Sequence, residues 1–177
     1  MLQRQYTTLL NIPIVEMSTG KELGKVYDLI IDDQTGKIEG FWVSSGLMSG
    51  SDKMVSINDV ADWKIKIYID DPDSIIEPDE IVKIKEILER DIYIYLNKVK
   101  TISEKKLGKV IDIFFDPISN QIIQIQIAKN IFGFKYQKRL IPFSEIYKIT
   151  KKAVILKNDY KTSSVKLEKV FDLSEAV

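Results

Sequence analysis

Apolar side chains along this chain recur every second residue or in short runs, the spacing of strands rather than of helices. Ile12 and Ile14 begin the first series, and residues 24–32 are dense in Val, Ile and Leu. Residues 37–44 then alternate, with Ile38, Gly40 and Trp42 on one face and Glu39, Phe41 and Val43 on the other. Residues 121–128 alternate again, Ile123, Ile125 and Ile127 opposing Gln124 and Gln126, and final strands are predicted over 64–69 and 153–157. Turn residues separate these runs: Ser18-Thr19-Gly20-Lys21, Asp33-Gln34-Thr35-Gly36 and Pro117-Ile118-Ser119-Asn120. The last uses Asn where Gly is commoner, because both tolerate positive φ. One stretch has the other period. Ile81, Ile84, Ile87 and Leu88 form an apolar stripe behind Pro78 and several acidic residues, which predicts a single helix over 77–90 packed across the interface between its neighbours.

The strand pattern occurs twice. Lys21-Glu22-Leu23-Gly24-Lys25-Val26-Tyr27-Asp28 returns 84 residues later as Lys105-Lys106-Leu107-Gly108-Lys109-Val110-Ile111-Asp112, each followed by three apolar residues and an aspartate. Val55-Ser56-Ile57-Asn58-Asp59-Val60 returns as Ile141-Pro142-Phe143-Ser144-Glu145-Ile146, now 86 residues on. Two matches in the same order mark an internal duplication. Short strands with turns about every ten residues suit a sandwich or a barrel, and in so small a unit closure removes exposed edges. The expected fold is therefore all-β: two tandem small barrels joined by one short α-helix. The boundaries read as 1–71 for the first unit, 72–91 for an acidic linker and helix, 92–160 for the second unit and 161–177 for an extension. Gly24 and Gly108 are expected where the backbone bends or takes positive φ to close each barrel.

Composition narrows the chemistry. The chain has neither Cys nor His, which removes thiol nucleophiles, disulfides, zinc sites built on those residues and the usual base near neutral pH. Asp28, Asp32, Asp33, Asp112 and Asp116 offer carboxylate oxygens, but not at the spacing of a calcium loop, and aspartates at strand ends are expected to cap turns. No catalytic residue, metal ligand or cofactor is assigned. The longest apolar run, Ile92 to Leu96, is far short of a bilayer span; a cytoplasmic location is expected. Charge is unevenly divided. Residues 1–88 carry 9 Lys/Arg and 16 Asp/Glu, a net −7, and residues 89–177 carry 17 and 10, a net +7. That asymmetry favours attraction between the halves or head-to-tail self-association.

The motif Leu23-Gly24-Lys25-Val26-x-Asp28 and its copy Leu107-Gly108-Lys109-Val110-x-Asp112 resemble the PRC-barrel family. That family includes the cytoplasmic domain of the photosynthetic reaction-centre H subunit and the carboxy-terminal domain of the ribosome-maturation factor RimM. Pro142-Phe143-Ser144-Glu145-Ile146 fits a later family element, whereas Ser56 stands where that element usually has Pro. The resemblance implies barrels that assemble, scaffold or bind proteins without shared catalytic residues. Fold analogy says little about role, so the residues must speak. The loop around Phe132, Phe134, Lys135, Tyr136, Lys138 and Arg139 groups aromatics with cations, the composition of interface hot spots and of base-stacking surfaces. The equivalent stretch of the first copy, residues 46–53, lacks this composition. The expected function is a non-catalytic protein-binding or scaffold module with that loop as its partner site. The alternative is an RNA- or ribosome-associated factor acting through the basic second barrel.

Overall fold

A computed structural model describes residues 3–44, 53–63, 65–131 and 135–157, with the backbone alone at 130, 131, 135 and 136. The chain opens with β1 (Arg4–Gln5) and α1 (Tyr6–Leu9). The first copy follows as β2 (Pro13–Glu16), β3 (Glu22–Ile31), β4 (Ile38–Ser44), β5 (Lys53–Ser56), β6 (Val60–Trp63), β7 (Ile67–Ile69) and β8 (Ile75–Ile76). After α2 (Val82–Glu89) the second copy supplies β9 (Lys98–Thr101), β10 (Lys106–Asp116), β11 (Gln121–Ile131), β12 (Lys135–Pro142), β13 (Ile146–Ile149) and β14 (Val154–Leu156). The fold is all-β, as the alternation predicted.

Each copy makes one curled sheet, and the strand order is the same in both: β6-β7-β2-β3-β4-β5 in the first, extended by β8, and β13-β14-β9-β10-β11-β12 in the second. The β2–β7 and β9–β14 pairs are parallel and the remainder antiparallel. A three-residue 3-10 turn, Ile57–Asp59, carries the chain from β5 to β6 at the opposite end of its sheet, and Phe143–Glu145 does the same between β12 and β13. Three residues reach at most about 10 Å. The sheet must therefore curl nearly full circle, which makes each copy a barrel closed by a turn rather than by a ladder.

The motif glycines allow this curl by giving room. A Cβ on Gly24 would sit 2.7 Å from Val43 Cγ1 and 2.9 Å from the Ser44 carbonyl oxygen, and one on Gly108 would meet the Ala128 carbonyl oxygen at 2.1 Å. Gly108 also takes a φ of +134°, whereas Gly24 is absent from the positive-φ glycines. The expectation of a special backbone angle thus holds in the second copy, and in the first the constraint is space. The turn assignments agree with the structure: Gly36 has φ +72° and Asn120, in the equivalent turn, φ +57°.

The two barrels do not keep separate interiors. Ile14, Val26, Phe41 and Ile67 of the first and Val110, Ile113, Phe115 and Ile125 of the second belong to one continuous buried cluster. Trp63 makes the junction, lying edge-on to Phe41 and stacked on Phe115 at 5.3 and 5.4 Å between ring centres. Its indole N–H donates to the Pro117 carbonyl oxygen at 3.2 Å. Beside it the two hairpin turns join by a β-bridge between Lys37 and Gln121. Ile38 N–H donates to the Asn120 carbonyl and Ile122 N–H to the Gly36 carbonyl, at 2.8 and 2.9 Å. Under the 84-residue offset these bonds exchange with each other, so the joint has the reciprocal form of a two-fold interface. β1 adds to this union by pairing with β10 of the second copy, Arg4 opposite Phe115 and Gln5 opposite Phe114.

The predicted helix is broken into two pieces. Pro78–Glu80 forms a 3-10 turn, with Glu80 Oε1 accepting from the Glu77 N–H at 2.9 Å, and α2 begins only after extended Ile81. The stripe does not cross the interface as expected; Ile84 and Ile87 bury against Ile30 and Met54 on the outer face of the first sheet. The reason lies in β3. Leu29 faces the continuous core while Ile30 faces out, so this sheet is apolar on both sides and needs a cover. An eight-residue helix is marginal alone, and burying each isoleucine contributes about 1.5–3 kcal/mol. On the second copy Gln124 and Gln126 stand where the first has Gly40 and Trp42, and no helix packs there among the described residues.

Candidate binding site at the joint between the copies

The two motif aspartates converge on the joint. In β3 the ladder passes from Val26–Val43 to Asp28–Trp42, leaving Tyr27 as an extra residue; in β10 it passes from Val110–Ile127 to Asp112–Gln126, leaving Ile111. Such a bulge re-aims the next side chain. Each aspartate turns back along its own strand, where Oδ1 accepts the following N–H, that of Leu29 at 2.7 Å and of Ile113 at 2.9 Å.

The single turn of α1 bridges these carboxylates with consecutive residues. Tyr6 donates its hydroxyl to Asp28 Oδ1 at 2.8 Å. Thr7 donates its N–H to Asp112 Oδ1 at 3.2 Å and its hydroxyl to Asp112 Oδ2 at 2.7 Å. Burial raises the Tyr6 hydroxyl well above the ordinary tyrosine range, and the bond to Asp28 and the nearby negative charge add to the effect. The two sites are not equally filled. Both oxygens of Asp112 are engaged, whereas Asp28 Oδ2 accepts no hydrogen bond among the described residues.

Asp28 lies in a cleft of about 170 Å³ between the first sheet, the end of α2 and the connector that follows it. Tyr6, Trp42, Tyr93 and Tyr95 supply its aromatic walls and Asp91 a second carboxylate. Tyr6 and Tyr95 lie 4.6 Å apart between ring centres, and Tyr27 stacks on Trp42 at 5.9 Å. Tyr93 is 63% exposed. On the other side of the connector Ile92 also borders a second cleft, of about 320 Å³, walled by Phe143 and Tyr147 of the second copy. Arg90 closes this end of α2 by donating to Asp32 at 2.7 Å and Asp33 at 2.6 Å.

The remaining sequence-predicted residues fall elsewhere. Asp32 and Asp116 cap equivalent turns through the N–H groups of Gln34 and Ile118 and the hydroxyls of Thr35 and Ser119. Among the described residues no group of acidic side chains has a metal-holding arrangement, and no helix is long and apolar enough to cross a membrane. Of the proposed partner loop, Phe132 and Phe134 lie outside the described residues, as do the side chains of Lys135 and Tyr136. Lys138 is exposed on β12, and Arg139 is half-buried there and donates to the Gln137 side chain. Lys25 and Lys109 are exposed on β3 and β10, while Val26, Leu107 and Val110 are buried and Leu23 is partly so. Sequence reading missed the connector cleft and the role of α1. Residues 6–9 carry no periodic signal, and the tyrosines of 92–96 read as one more apolar run.

A family model described as PRC-barrel domain matches residues 1–76 and 96–162. None of the curated proteins compared matches the chain. The family match leaves out 77–95, the stretch that holds α2 and the tyrosine-bearing connector.

Proposed function

Since this chain belongs to the PRC-barrel family and carries the domain twice, we propose that it is a non-catalytic, cytoplasmic module that binds a protein partner and holds it on a double-barrel scaffold. The observation that supports this reading is the aromatic surface around the connector, where exposed Tyr93 and Tyr147 line the two clefts on either side of Ile92. Solvent-facing aromatics at a junction of units are the side chains that interfaces enrich, and clefts favour such junctions. The loop of Phe132, Phe134, Lys135, Tyr136, Lys138 and Arg139 is proposed as a second contact surface on the same grounds of composition. Affinity purification with mass spectrometry, with and without nuclease, tests the reading. A stable protein partner retained after nuclease is expected, and Phe132→Ala/Phe134→Ala should reduce its recovery if the loop takes part. Recovery of nothing specific would overturn the reading.

The net +7 of residues 89–177 favours a second reading, an RNA- or ribosome-associated factor. Lys135, Lys138, Arg139, Lys151 and Lys152 would then contact phosphates, and affinity would fall steeply with salt. Loss of all partners on nuclease treatment would select this reading over the first.

A further inference from the structure

We propose that the cleft beside Asp28 receives an arginine side chain presented by a partner protein. This rests on the protein-binding reading above and assigns the anchoring group. Among the described residues the cleft is lined by two carboxylates, Asp28 and Asp91, and by no Lys or Arg. Asp91 shares its charge with Lys151 at 3.1 Å on the exposed rim, so Asp28 is the carboxylate that faces the cleft uncompensated. Its Oδ1 already serves Tyr6 and Leu29, and Oδ2 is left over among the described residues. The equivalent Asp112 has both oxygens occupied by Thr7 and Ile113, so the fold itself has no need of an open oxygen at this position.

A carboxylate oxygen among aromatic faces matches a guanidinium better than an ammonium. The planar cation can donate N–H groups to the oxygen while its faces lie against Tyr93, Tyr95 or Trp42. The aliphatic stem has a matching floor in Ile87 and Leu88, which also line the cleft. The net −7 of residues 1–88 would draw a basic segment towards this half of the molecule.

Backbone-amide NMR of the full chain, titrated with N-acetyl-arginine amide, tests the site, with the citrulline analogue as its uncharged isostere. Saturable shifts at Tyr6, Asp28, Tyr93 and Tyr95 are expected for arginine, about tenfold weaker for citrulline. Asp28→Asn keeps an acceptor for Tyr6 and Leu29 and should weaken the arginine shifts about tenfold. Tyr93→Ala alters an exposed side chain, preserves the fold and should weaken them severalfold. Absent shifts, equal shifts with citrulline, or shifts unchanged in both variants would overturn the site. Purification with the same variants as bait separates the two claims. Partners retained by both variants leave the protein-binding reading standing and remove the cleft from it. Arginine shifts with no protein recovered remove the partner reading and leave a receptor for a free guanidinium compound.

Discussion

Asp28 and Asp112 occupy the same place in two copies of one motif, follow the same bulge and cap the same following N–H, yet one is saturated and the other half open. The difference is made by two neighbouring residues of α1. Tyr6 reaches Asp28 with one hydroxyl, and Thr7 reaches Asp112 with a hydroxyl and its backbone N–H. A duplicated scaffold brings equivalent groups to both sides of its joint, and a single asymmetric element then decides which side is structural and which stays available. α2 repeats the lesson on a larger scale by covering the outer face of the first sheet alone among the described residues.

The comparison can be broken most severely at the motif glycines. Gly108→Ala should cost about 4 kcal/mol, because its φ excludes a side chain and the Ala128 carbonyl oxygen stands 2.1 Å from the new Cβ. Gly24→Ala meets the side chain of Val43 first and should cost about 2 kcal/mol; denaturant unfolding of the two variants would rank them. The paired turns come next. A Cβ on Gly36 would strike the Phe143 ring at 2.3 Å, so Gly36→Asn should cost about 3 kcal/mol although Asn stands naturally at the equivalent position 120. Asn120→Gly should change stability by less than about 1 kcal/mol. Equal costs for the two exchanges would mean the joint between the turns is not formed as described.

The aspartates themselves should differ less. Asp112→Ala leaves three donors without their acceptor and Asp28→Ala leaves two, so losses of about 3 and about 2 kcal/mol are expected from unfolding curves. The smallest effect separates Tyr6 from Thr7 by pH. Tyr6 is held protonated in the folded chain beyond its ordinary range, so its contribution is complete below about pH 10, the unfolded value, and is lost as pH rises further. Tyr6→Phe should therefore flatten the alkaline fall in stability, whereas Thr7→Val should lower the whole curve by about 1 kcal/mol and leave its slope unchanged.

Much of this architecture was legible because it is local or repeated. Alternation and short apolar runs located β2, β3, β4, β7, β11 and β14 but not β5, β6, β9, β12 or β13, the Gly36 and Asn120 turns followed from residue type, and two offsets exposed the duplication. Ile38 shows where alternation fails. β4 pairs Gly40 with Ile30 and Ile38 with Ile31, so Glu39 is an extra residue and Ile38 joins Phe41 in the core rather than facing away with Trp42. A bulge leaves no mark in composition. The docking of α2 was misread because its stripe states that a face is buried but not against what, and the missing information was Ile30 and Met54 on the far side of a sheet. The site at the joint was invisible for the same reason: Tyr6, Asp28 and Tyr93 meet only in three dimensions.

The pairing of β1 with β10 has a consequence for the order of events during synthesis. The hydrogen bonds that fix Thr7 join residues 105 positions apart, so β1 and α1 wait for the second motif before they find their place. Long-range closures of this kind are slow steps. The first barrel can gather its own strands early, but the strap of β1 and α1 is fastened late, and the finished molecule is locked by a segment made well before the strand that holds it.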